Sequence, residues 1–181
     1  MRRGHVFLIG FMGSGKTTVG ALLGPALSLP FIDLDARIVR AAGRSIASIF
    51  AAEGEACFRN LEARVLEEVL DSPPAVLSLG GGAFLPPGNR SRIKERGTCV
   101  WLAVSLGEAL VRCRGELGRP LALAPLEFAK LYRQRQPIYR ECDMKVETDG
   151  KSPRTICREI VVRLEERADT PGMDPEPESG S

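Results

Sequence analysis

The run Gly10-Phe11-Met12-Gly13-Ser14-Gly15-Lys16-Thr17 constrains this chain more than any other stretch. It matches G-x-x-x-x-G-K-[ST] at every fixed position. The apolar run Val6–Ile9 precedes it, and Val19, Leu22, Leu23 and Leu27 follow at helical spacing. A strand, a glycine-rich turn and a helix in that order form a cradle for phosphate. Gly13 and Gly15 let the backbone curl until its N–H groups converge on oxygen atoms. The helix start adds its positive end, worth about 0.3–2 kcal/mol to an anion there. Lys16 supplies a point charge for β- and γ-phosphates, and Thr17 a hydroxyl for Mg²⁺. ATP or another nucleoside triphosphate is the expected ligand, with Mg²⁺ beside it.

The rest of the chain repeats the alternation of short apolar runs and amphipathic stretches. Phe31-Ile32, Ala75–Leu79, Cys99–Val104 and Met144–Val146 read as further strands, making five. Helices are expected around Ile38, over 46–52 behind Ser45, over 55–70, from Pro86-Pro87 to Gly97, after Ser105, through Phe128 and Tyr132, and from Pro153 through Leu164. Phe58, Leu61, Val65, Leu66 and Val69 fall on one face of the longest of these. Such alternation predicts an α/β fold, a three-layer, doubly wound, five-stranded parallel sheet of the P-loop NTPase type.

The 181 residues suit one domain, and 44% hydrophobic with 27% charged residues is a globular composition. A net charge of +2 argues against a dedicated nucleic-acid binder. No run reaches the roughly 18 apolar residues of a membrane span. Five cysteines, odd in number and without a Cys-x-x-Cys pair, indicate reduced thiols and a cytoplasmic setting. His5, the only histidine, reads as structural. Asp169–Ser181 holds three prolines, four acidic residues and one large apolar side chain, so 168–181 is expected to be a disordered tail behind a domain over 1–167.

Two further patterns lie at the expected carboxyl edge of the sheet, where doubly wound folds bind ligands. Asp33 and Asp35 follow the second strand. Their alternation in an extended segment would let Asp33 face the Mg²⁺ shell and Asp35 an acceptor hydroxyl; a helix cap is the plainer reading. Gly80-Gly81-Gly82 ends the third strand and either admits a close ligand or is an ordinary loop. The strand before it, Val76–Leu79, lacks the terminal Asp of a Walker B segment, which leaves Asp33 as the metal-side carboxylate.

Over roughly residues 5–167 the chain resembles the shikimate kinases. The resemblance is carried by the P-loop with Thr17-Thr18 and Gly20, Phe31–Asp35, Gly43–Ile46 with Ile49-Phe50, and Gly54-Glu55 with Phe58-Arg59 and Glu62. Gly80–Ala83 with Asn89-Arg90, Arg119-Pro120-Leu121 and Arg135–Tyr139 complete it. It implies ATP-dependent phosphorylation of the 3-hydroxyl of shikimate by a monomer with a mobile lid. Gly13, Ser14, Gly15, Lys16, Thr17 and Thr18 would hold the nucleotide, Thr17 and Asp33 the metal. Asp35 would contact the acceptor hydroxyl and act as base. Arg59 and Arg135 would clamp the shikimate carboxylate over Gly81 and Gly82. Arg119, in a lid running from there to Arg135, would reach the transferring phosphate; Arg112 and Pro153 would pack the adenine. Taken alone, Arg59 reads as a helix-surface arginine pairing with Glu62 or Glu55. The nearest alternative is another small-molecule P-loop kinase, of gluconate or nucleotide type. A switch GTPase is disfavoured, because no Asn-Lys-x-Asp occurs.

Overall fold

The structure, a computed structural model, describes residues 4–114 and 125–169. Arg119, the first part of the expected lid and the tail from Thr170 onward lie outside the described residues. The strands are β1 (His5–Ile9), β2 (Phe31–Asp33), β3 (Val76–Ser78), β4 (Gly97–Ala103) and β5 (Met144–Glu147). They pair in parallel in the order β2-β3-β1-β4-β5. The helices are α1 (Lys16–Ala26), α2 (Leu34–Ala42), α3 (Ile46–Leu70), α4 (Pro87–Arg96), α5 (Leu106–Arg114), α6 (Pro125–Tyr139) and α7 (Pro153–Asp169).

The central strand shows why three layers form. Val6 and Leu8 point to one face, Phe7 and Ile9 to the other, and all four are buried. Val6 and Leu8 pack with Val19 and Leu23 of α1 and with Ile156 and Ile160 of α7. Phe7 and Ile9 pack with Phe58, Val65, Leu66 and Val69 of α3 and with Phe128 of α6. A strand apolar on both sides needs helices on both sides, which a parallel sheet with crossover helices supplies.

Local chemistry sets the element ends. The Ser45 hydroxyl caps α3 by accepting from Ser48 N at 3.2 Å. Gly43 ends α2 in the left-handed region at φ 68. The two helices expected on either side of Gly54 form α3 with a break there, where φ is 78 and ψ 179. His5 is buried: Ala75 N donates to its Nδ1 at 3.1 Å, and its Nε2 stands 3.3 Å from Leu70 O. The imidazole thus ties β1 to the end of α3, the structural role expected of it.

Two expectations change and one is extended. Asp35 is not in an extended segment, because the chain turns helical at Leu34 and Asp35 sits in the first turn of α2. The helix expected through Phe128 and Tyr132 starts at Pro125, so the lid segment reaching to Arg135 includes the first part of α6. The last helix passes Leu164 and runs to Asp169, into the stretch read as tail.

Candidate active site

The loop after β1 has the curl its glycines predict. Gly13 and Gly15 have φ of 77 and 87, a region costly for other L-residues. Gly15 precedes α1, no side chain caps that helix, and its first turn holds no acidic residue. Its N–H groups and positive end are therefore left for an exogenous anion. Lys16 Nζ donates to Gly10 O and Phe11 O, both at 3.0 Å, which folds the ammonium over the loop. The Ser14 hydroxyl is buried in the loop and has no hydrogen-bond partner among the described residues. An orphaned donor in a loop whose following helix has no acidic residue in its first turn fits a polyphosphate. Thr18 is exposed on the first turn of α1.

Asp33 serves both as a helix cap and as a partner of Thr17. Its Oδ1 accepts from Ala36 N at 3.2 Å and caps α2. Its Oδ2 accepts from the Thr17 hydroxyl at 2.7 Å. A hydroxyl and a carboxylate side by side at the phosphate cradle are hard oxygen donors of the kind Mg²⁺ takes along with phosphate oxygens and waters. Asp33 is paired in register with Ser78, the last residue of β3. The carboxylate that a Walker B strand would carry at its tip thus comes from the adjacent strand.

The three glycines after β3 are each covered by a charged side chain. A Cβ on Gly80 would strike Asp35 Oδ1. One on Gly81 would lie 2.8 Å from Arg135 Nη1, and one on Gly82 2.8 Å from Arg59 Cζ. Side-chain contacts this close to a turn need residues without side chains of their own. Asp35, Arg135 and Arg59 thus converge from α2, α6 and α3 on one backbone floor. Arg59 pairs with Glu62 at 2.7 Å and with Glu55 at 3.2 Å, so both partners expected from helical spacing are real. Glu62 is 2% exposed. Burial pushes its carboxyl above the usual glutamate range, with Arg59 pulling against this, the Asp35 charge adding to it and Arg135 opposing it. Arg135 Nε is buried without a hydrogen-bond partner among the described residues. Two guanidinium groups, one with an orphaned donor, have the chemistry to receive a carboxylate.

Arg112 on α5 joins the cradle from the other side. Its Nη1 donates to Gly13 O at 3.1 Å and its Nη2 to Thr148 O at 3.5 Å, while Nε pairs with Glu108 at 2.9 Å. It thereby bridges the phosphate loop to the segment between β5 and α7, at whose far end Pro153 opens α7. These bonds reach the near end of that segment, at Thr148, and not Pro153 itself.

Three participants escape a reading of site residues from sequence. Gly80 underlies Asp35, and its place in the glycine run is the available signal. Glu62 holds Arg59; its i+3 spacing is visible in the sequence, although its burial is not. Phe11, inside the phosphate loop, meets Phe128 and Tyr132 of α6 edge-on at 5.0 and 5.2 Å, with Arg135 over its ring at 5.7 Å. Nothing local to Phe11 announces that contact.

A phosphate cradle after the first strand, a hydroxyl–carboxylate pair beside it, and an arginine-lined cleft on a glycine floor define a P-loop kinase for a small anionic acceptor. The family model for shikimate kinase matches residues 12–165. The shikimate kinase of Persephonella marina is 41% identical over 161 residues, covering 88% of this chain and 98% of that one. That of Aquifex aeolicus is 40% identical, covering 91% and 98%. Among solved structures, the Acinetobacter baumannii shikimate kinase in complex with shikimate superposes with a TM-score of 0.87 at 34% identity, covering 91% of this chain and 94% of that one. A gluconokinase from Sinorhizobium meliloti, at 19% identity and a TM-score of 0.63, shares the fold. The chain belongs to the shikimate kinase family.

Proposed function

We propose that this enzyme transfers the γ-phosphoryl group of ATP to the 3-hydroxyl of shikimate, giving shikimate 3-phosphate and ADP, a step towards chorismate and the aromatic amino acids. The observation that carries this reading is the pairing of Arg135 and Arg59 with Asp35 on consecutive glycines at the mouth of the phosphate cradle. Shikimate presents a carboxylate at one end and hydroxyls at the other. Two arginines suit the first and one carboxylate the second.

In this reading Lys16 neutralises the β- and γ-phosphates once it leaves the Gly10 and Phe11 carbonyls. Thr17 and Asp33 would hold Mg²⁺, which neutralises phosphate charge when bound. Arg59 and Arg135 fix the acceptor by its carboxylate. Asp35 accepts the proton of the attacking hydroxyl as its oxygen bonds to phosphorus and ADP departs. Positioning and charge neutralisation supply most of the catalysis in such transfers. Arg112, with Pro153, is assigned to the adenine, and Arg119 to the transferring phosphate. The enzyme is assigned as a monomer. All five cysteines are free, which supports a reducing, cytoplasmic setting.

A coupled ADP-release assay over shikimate, gluconate and AMP tests the assignment. Turnover with shikimate should exceed the others by orders of magnitude. Equal or greater turnover with gluconate or AMP overturns it.

A further inference from the structure

The glycine floor is gripped from beneath by a group that the transfer chemistry leaves idle. Tyr139 is 1% exposed, yet it carries a hydroxyl that donates to Gly81 O at 2.9 Å. Its ring lies against Trp101, with centroids 6.1 Å apart. A Cβ at Gly81 would stand 2.8 Å from Arg135 Nη1 and 3.8 Å from the Tyr139 hydroxyl oxygen. One peptide, one guanidinium and one phenol therefore meet at a single point. Arg135 and Tyr139 are four residues apart at the end of α6, so they share a helix face.

Three glycines in a row have no side chains with which to hold a turn, and their backbone is unusually free. A tether from outside is the physical remedy. Because the peptide unit is planar and trans, anchoring the Gly81 carbonyl aims the Gly82 N–H the opposite way, away from the phenol. Burial pushes the Tyr139 phenol up to about 12, against the opposing pull of Arg135. The hydroxyl thus remains a proton donor at any pH used for assay.

We propose that Tyr139 is a positioning residue for acceptor binding: it ties the midpoint of the glycine floor to the Arg135 end of α6, so that both meet the acceptor carboxylate in fixed register. This rests on the reading of Gly81 and Arg135 as acceptor-binding groups. The tie involves no chemistry of its own, and it sets affinity more than turnover.

The full chain carrying Tyr139→Phe tests it, because that change keeps the ring and removes only the donor. KM for shikimate should rise about five- to tenfold, the value of one buried hydrogen bond. kcat and KM for ATP should stay within about twofold. In an Arg135→Lys background the same substitution should matter less than about twofold, since no guanidinium then remains for the tie to hold in register. An unchanged KM for shikimate in Tyr139→Phe, or full multiplication of the two effects, overturns the proposal. Arg135→Lys alone leaving KM unchanged is a different failure, that of the underlying reading.

Trp101→Phe separates tethering from packing. It disturbs the same aromatic contact without removing the Gly81 donor, so it should lower Tm and leave KM for shikimate within about twofold. An equal rise in KM there would assign the effect to packing and overturn the proposal. If Tyr139→Phe is too unstable for steady-state work, the rise in Tm produced by excess shikimate still reports affinity. That rise should be smaller in the variant than in the parent; an equal rise overturns the proposal.

Discussion

Arg59 lies between two glutamates of its own helix and a glycine of another segment. Glu62 holds it from the buried side and Glu55 from the exposed side, while Gly82 gives it room. Gly82→Ala would place a methyl group against the guanidinium, the movable end of a long side chain. Folding should therefore change little, while Arg59 is pushed off its seat. We expect KM for shikimate to rise about tenfold or more, as when a charged hydrogen bond of about 1.5–3 kcal/mol is lost, with Tm nearly unchanged. Parallel kinetics and thermal denaturation check this; a large fall in Tm with KM intact would refute it.

Glu62 carries the pH dependence of this cluster. Its folded carboxyl titrates above the ordinary glutamate value, first because it is buried. Between those two values the folded protein keeps a proton that the unfolded chain has released. Stability from this group is thus fully present below the ordinary value and declines as pH rises through the raised one. The Tm advantage of the parent over Glu62→Gln should shrink from pH 4 upward through the weakly acidic range, since each tenfold gain in proton affinity on folding is worth ~1.4 kcal/mol. A difference that stays flat or grows would contradict the burial argument. Little of this is legible in the sequence. The phosphate loop declares itself because its whole chemistry is local in sequence. Asp35, Arg135 and Arg59 reach Gly80, Gly81 and Gly82 from three different helices, and only tertiary packing brings them there. Without the known family pattern, Arg59 reads as an ordinary helix-surface residue.

At the scale of elements, α1 must approach β2 closely if Thr17 is to meet Asp33. Gly20 permits that approach: a Cβ there would crowd the Phe31 ring, with Cδ2 at 2.8 Å. The half-buried ring packs against the core cluster on that side of the sheet, so it yields less readily than an arginine tip. Gly20→Ala should cost about 1–3 kcal/mol, the usual penalty of overpacking, and should lower Tm by a few degrees. It should also raise KM for ATP, since the Thr17–Asp33 spacing opens. Denaturation curves with ATP titration check both parts. Element positions are readable from caps and apolar spacing, as Ser45 and Gly43 show. The turn of the chain into a helix at Leu34 is legible only as the cap reading of Asp33, which the extended reading of 33–35 competes with. Asp33 and Asp35 do address different neighbours, but through a cap and a first helical turn instead of strand alternation.

For the molecule as a whole, the near-neutral charge is an average. Residues 168–181 carry four acidic groups and no basic ones, so the remaining chain is four charges more positive than the total of +2. Arg59, Arg135 and Lys16 account for part of that excess and stand at the glycine floor and the phosphate loop. Truncation after Asp169, the end of α7, should leave kcat, KM and Tm close to those of the full chain, because the removed segment offers one large apolar side chain to any core. A substantial loss of Tm would show that the segment packs against the domain.

The floor of main chain beneath the three charged groups also bears on inhibition. A compound lying on Gly80–Gly82 touches atoms that every amino acid shares, so most substitutions there cannot delete its contacts. Adding a side chain instead dislodges Asp35, Arg135 or Arg59, and on the proposed assignment the enzyme would lose its own acceptor along with the drug. Resistance at that surface would have to come at the expense of activity, which makes it the preferred face for a carboxylate-bearing competitor.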